Sequence, residues 1–187
     1  MTKTTFHPAQ RWVHWFMAVA IISMLFIGVG MVSTISDWHG TLVNLHKPLG
    51  IAILLLVVLR LGLRWRYGAP PLPASVSTVQ QRVAQLSHLL LYVCMLLQPL
   101  LGWSMLSAAG YPVTLGDSLV LPPLVPESNT LYAVLRPLHQ YVAFALFALV
   151  LMHIAAALLH GLVLRDGVFS SMTGRPSRRK KPHVDTE

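Results

Sequence analysis

Charge is scarce in this chain and cysteine scarcer still. Of 187 residues only 11% are charged, six of them acidic, and the single cysteine is Cys94. A lone cysteine excludes an intramolecular disulfide, a Cys-x-x-Cys-His attachment for covalent haem and a cysteine-held iron–sulfur cluster. Lying inside an apolar run, Cys94 reads as a small packing residue. Carboxylate pairs, a Ser-His-Asp set and a Gly-rich phosphate loop are also missing, which leaves hydrolysis and phosphoryl transfer without residues.

What is abundant is apolar surface. Hydrophobic residues make up 55% of the chain and the mean hydropathy is +0.62, values that belong to an integral membrane protein rather than a soluble domain. Four runs are long enough to span a bilayer, at about 12–32, 45–63, 87–108 and 138–163. The expected fold is all-α, a membrane four-helix bundle forming one domain over residues 1–170. A basic tail at 171–187 is expected to be disordered. The first run holds Trp12, His14 and Trp15 and reaches Ser33 to Ser36 without a small-residue cleavage site, so it reads as a retained span and not as a secretory signal. The connection from Ala109 to Pro137 carries Pro112, Pro122, Pro123 and Pro126 and reads as an ordered extramembrane loop.

The net charge of +8 could suggest nucleic acid, but its placement points to membrane topology. With a cytoplasmic N-terminus, Lys3, Arg11, Arg60, Arg64, Arg66, Arg82, Arg165 and the cluster from Arg175 to Lys181 lie inside, and only Lys47 and Arg136 lie outside. That asymmetry predicts that both termini are cytoplasmic. The basic tail is then a flank attracted to anionic lipid, and no nucleic-acid partner is expected.

Imidazole is costly inside hydrocarbon, so histidines within spans are functional candidates. His139 and His153 lie fourteen residues apart in the fourth run. Close to four helical turns separate them, so both project from one face about 21 Å apart along the axis. By the predicted orientation His46 matches the depth of His139 at the outer side, with Pro48 in the first turn of its span, and His14 matches His153 at the inner side. For each of the four taken alone, a helix-end histidine bonded to a carbonyl or water explains its presence; their matched depths favour two stacked bis-histidine sites within a bundle. Two imidazoles fill both axial positions of a haem iron, a coordination suited to electron transfer. Zinc would require a compact tetrahedral cluster.

The segments Gln10-Arg11-Trp12-Val13-His14-Trp15, His46-Lys47-Pro48-Leu49-Gly50, Ser87-His88-Leu89-Leu90-Leu91-Tyr92, Pro99-Leu100-Leu101-Gly102-Trp103 and Leu138-His139 to His153 together resemble the prokaryotic cytochrome b561 family over nearly the whole chain. The resemblance implies a multi-pass protein of the bacterial inner membrane, with two haem b groups. It would pass electrons between a periplasmic donor or acceptor and the quinone pool, ubiquinone being the expected substrate. Superoxide oxidation coupled to ubiquinone reduction is among the family's activities. The competing readings are a haem-bearing membrane subunit for a separate periplasmic redox protein, and a haem-free helical transporter.

Further residues fall into place around these four. His88, just inside the third span at the cytoplasmic side, rivals His14 or His153 as an inner ligand; contact with a propionate or quinone and simple interfacial hydrogen bonding are its other readings. His160 could bond a quinone carbonyl near the inner surface, or cap a helix end. Lys47 and Arg136 are the natural partners of the outer haem propionates. Arg82 is an inner haem or quinone contact candidate, although topology alone also demands cations there. Arg60 sits about a turn inside the second span, where snorkelling competes with a propionate or quinone contact. Gly28, Gly30, Gly50 and Gly102 would allow a porphyrin edge or a helix to approach the backbone. His7 and His183 are expected to be solvated, and His39 to sit in the outer loop.

Overall fold

A computed structural model describes residues 4–73, 75–115 and 119–174. Four long helices are apolar enough to cross a membrane: α1 (Pro8–Ser33), α2 (Trp38–Tyr67), α3 (Thr78–Ala108) and α4 (Asn129–Leu158), the last continued by a π-helical stretch over Leu159–Leu164. Between α3 and α4 lies an antiparallel hairpin, β1 (Val113–Leu115) with β2 (Leu119–Leu121), in which Val113 pairs with Leu121. A short α5 (Val168–Thr173) follows the π stretch. The expected four-helix membrane architecture is what is found.

The helices outrun the apolar runs that mark them, because polar caps set their ends. The His7 Nδ1 accepts the Ala9 N–H at 3.3 Å while the Gln10 side chain accepts the His7 N–H at 3.2 Å, and Pro8 fills the first turn, a capping box that satisfies N–H groups the helix cannot. His7, expected to be solvated, also stacks on Tyr67 with ring centroids 3.9 Å apart. Ser77 and Gln80 form the same device on α3, and Ser128 caps α4. Helix α2 starts at Trp38, so Pro48 lies well inside it rather than in its first turn; Pro137 likewise lies inside α4. Interior prolines are tolerated in membrane helices because neighbouring groups take up the freed carbonyl. Of the predicted tail, Ser171 to Thr173 are helical; residues 175–187, with the basic cluster and His183, lie outside the described residues.

The short Thr34 to Asp37 turn makes α1 and α2 antiparallel neighbours, and His39 in the first turn of α2 bonds the Met31 carbonyl through Nδ1 at 3.0 Å. The bundle is two close hairpins, α1 on α2 and α3 on α4, joined through α2 and α3. Its buried cluster is small: Met17 and Ile21 of α1, Ile53 and Val57 of α2, Leu91 and Met95 of α3, Leu146 of α4. Most large side chains face outward, Phe26 being 74% exposed and Phe144 60%, because hydrocarbon solvates them as well as a protein core would. Leu146 lies midway between His139 and His153 in sequence, so this aliphatic layer separates the two histidine depths.

Candidate functional site

The two expected pairs come together across the bundle. His46 of α2 and His139 of α4 have ring centroids 6.2 Å apart; His14 of α1 and His153 of α4 are 6.3 Å apart. Two imidazoles that each hold one metal ion through a ring nitrogen at about 2.0 Å have centroids roughly 6 Å apart. Both spacings therefore leave room for one iron between the rings. Among the described residues, α4 packs on neither α1 nor α2 as closely as it packs on α3. Histidine pairs that bridge loosely packed helices sit where a flat macrocycle could slot in. The residues present fit a haem in a further respect: Nδ1 of His14 and Nδ1 of His46 are buried without a hydrogen-bond partner, a cost a packed apolar interior would not carry.

His139 is the most firmly held of the set. Its Nδ1 lies 3.1 Å from the Gln98 backbone carbonyl, and the Gln98 amide donates to the His139 carbonyl at 3.0 Å. An Nδ1–H donated to a carbonyl leaves Nε2 as the basic nitrogen, the tautomer a metal ligand needs. The ring also lies against Gly102, where a Cβ would stand 3.1 Å from Cε1. The glycine thus serves the histidine rather than a bare helix contact. Neither Gln98 nor the close fit of Gly102 was visible in sequence, for Gln98 is 41 residues from His139 and joins it only once α3 and α4 pack.

His88 remains close to the inner pair, its ring centroid 5.7 Å from that of His153. That is about half an ångström shorter than the two bis-histidine spacings. Among the described residues, no set of three or more His, Cys, Asp or Glu side chains is arranged to hold a metal ion, so His14, His88 and His153 do not converge on one point. Arg60 turns inward instead of snorkelling: its Nε donates to the Tyr92 hydroxyl at 3.0 Å and its Nη1 is buried without a partner. Arg60 and Tyr92 join the inner cluster more firmly than the sequence alone suggested.

The outlying candidates are arranged more loosely. His160, in the π-helical stretch, bonds the Asp166 carboxylate, whose other oxygen accepts the Val168 N–H at 3.1 Å. Lys47 is half-buried beside His46, while Arg136 and Arg82 are exposed on α4 and α3. At the far end of the bundle the α3–α4 connection is strapped down: Trp103 Nε1 donates to the Pro122 carbonyl at 3.1 Å, and the Leu124 N–H donates to Ser107 Oγ at 3.1 Å.

The chain is similar to known proteins over most of its length. The family model described as prokaryotic cytochrome b561 matches residues 5–175. Cytochrome b561 homolog 2 of Escherichia coli K12 is 28% identical over 169 residues, covering 88% of each chain. Cytochrome b561 homolog 1 of the same organism is 26% identical over 178 residues, 91% of this chain and 97% of the other. A Yersinia pestis protein named probable superoxide oxidase CybB is 28% identical over 128 residues, 68% of this chain and 72% of its own.

Proposed function

The chain belongs to the prokaryotic cytochrome b561 family, and from that premise we propose that it carries electrons across the membrane through two haem b groups, between a periplasmic reaction and the quinone pool. Membership brings b-type haem binding and membrane electron transfer, and makes this a multi-pass protein of the bacterial inner membrane. The observation that carries the finer reading is the pair of bis-histidine spacings, 6.2 and 6.3 Å, each bridging helices that pack loosely.

Bound haem supplies reversible one-electron exchange at its iron; the protein supplies position and electrostatics. His46 and His139 hold one group, and His14 and His153 hold the other. With both termini cytoplasmic, as the cation asymmetry favours, the His46–His139 site faces the periplasm. Lys47 and Arg136 then meet its propionates and lend a positive field to an approaching anion such as superoxide. At the inner side Arg60 and Arg82 are the cations available to carboxylates, and His88 and His160 are the groups able to hydrogen-bond a quinone carbonyl. Ubiquinone is the proposed acceptor, and superoxide a candidate donor through the likeness to the Yersinia protein.

A second reading, a haem-bearing subunit that wires a separate periplasmic protein to quinone, is favoured by the strapped extramembrane hairpin with its exposed Leu119, Val120 and Leu124. The third expectation, a haem-free transporter, is set aside by membership of a b-haem family. The test is direct. Purified protein should contain two haems per chain by pyridine haemochrome and should reduce ubiquinone when superoxide is supplied. One haem per chain would refute the two-site reading. Two haems without superoxide-driven quinone reduction would favour the subunit reading.

A further inference from the structure

We infer that Gln98 is the positioning residue of the outer site: its backbone carbonyl sets the tautomer of His139, and its side chain, anchored on the His139 backbone, keeps the ring seated on that carbonyl. The inference rests on the reading of His139 as a haem ligand and goes beyond it. Four contacts converge here. The Gln98 carbonyl lies 3.1 Å from His139 Nδ1, the Gln98 amide donates to the His139 carbonyl at 3.0 Å, the same amide nitrogen lies 3.4 Å from His139 Nε2, and Gly102, one turn along α3, meets the ring edge. The first two are reciprocal, so backbone and side chain of one residue grip backbone and side chain of the other. His46, His14 and His153 show no such grip: the Nδ1 atoms of His46 and His14 have no partner at all.

The geometry argues against simple glue between α3 and α4. Gln98 Oε1 is buried without a partner, a desolvation cost that leucine would avoid while still packing the two helices. The amide also has only one consistent orientation. Reversed, it would point Oε1 at the His139 carbonyl and set two acceptors against each other. With Nδ1–H held on the Gln98 carbonyl, Nε2 is left with the lone pair, which the Gln98 amide reaches at 3.4 Å.

A hydrogen bond from the other ring N–H to a carbonyl raises the basicity of a ligating imidazole and orients its plane. A more basic imidazole favours the ferric state, so loosening it should raise one midpoint potential. Gln98→Met keeps length and apolar bulk and removes the amide. In the purified holoprotein the expected result is two haems per chain, with the ferric-to-ferrous binding ratio of one haem falling about tenfold, which is about 59 mV upward for a one-electron couple. The other haem's potential should stay in place, and the low-spin ferric EPR signal of the shifted haem should move. Unchanged potentials and EPR signals, or equal shifts at both haems, would overturn the inference. If Gln98→Met does not accumulate in membranes, the same titration on Gln98→Glu, which keeps the length and loses the amide donors, makes the measurement. His139→Ala separates the two levels: if it retained both haems the ligand reading itself would fail, whereas loss of one haem there beside an unshifted Gln98→Met would defeat only the role of Gln98.

Discussion

A single methyl group at Gly102 should unseat one haem while leaving the bundle at least as stable. An added Cβ would stand 3.1 Å from Cε1 and 3.4 Å from Nδ1 of His139. Carbon atoms prefer about 3.5–4.0 Å, so the ring must retreat by at least a few tenths of an ångström. The retreat stretches its 3.1 Å contact with the Gln98 carbonyl beyond the usual hydrogen-bonding range of about 2.7–3.2 Å. Loosening a partner that orients a metal ligand typically weakens metal binding about 10- to 100-fold, or about 1.4–2.8 kcal/mol. Alanine meanwhile favours a helix over glycine by about 1 kcal/mol, so the two effects have opposite signs and can be read apart. Gly102→Ala should therefore show an undiminished thermal unfolding midpoint in the haem-depleted form. When haem supply is limiting, haem content should fall from two toward one per chain, and only one component should be lost from the redox titration. Two haems at unchanged potentials would refute the reasoning from contact to coordination.

Other perturbations address the remaining parts. Replacing His46 or His139 by alanine should remove one and the same haem, and replacing His14 or His153 the other; a His88→Ala variant should keep both, and the loss of one there with retention in His14→Ala, scored by haemochrome and EPR, would reassign the inner pair. Tyr92→Phe removes the partner of a charged donor, worth about 1.5–3 kcal/mol, and should lower the thermal midpoint and shift the inner haem potential with the outer one unmoved. Val57, fully buried between the histidine layers, has no room for charge: Val57→Asp should prevent accumulation in the membrane, seen by quantitative blotting, while Val57→Ala should cost about 1–2 kcal/mol by thermal unfolding.

The reach of sequence was set by which interactions are periodic and which are not. Apolar runs and histidine spacing repeat along one helix, so the four spans, the bis-histidine pairing by depth and the family resemblance were legible before any coordinate. Helix ends were less so, because leads such as Trp38 to Asn44 and Asn129 to Arg136 precede the apolar runs yet continue the hydrogen-bond ladder. That is why Pro48 and Pro137 turned out to be interior. The β1–β2 pairing was hidden within a proline-rich connection that predicts order but no register. Contacts between distant segments, Gln98 with His139 and Arg60 with Tyr92, carry no sequence signature at all, since either partner would be unremarkable alone.

The aliphatic layer that holds Val57 and Leu146 also has an electrical meaning. Its seven buried members carry no titratable side chain, and the sites above and below remain within a bilayer's thickness. On the proposed reading, an electron passed between the two histidine depths, about 21 Å of a roughly 30 Å core, would cross about two thirds of the transmembrane voltage. Each 100 mV would bias that transfer by about 1.5 kcal/mol, close to a tenfold change in equilibrium. In a cell whose interior is negative, inward transfer would work against the field and outward transfer with it, so throughput by this route would answer to the energised state of the membrane.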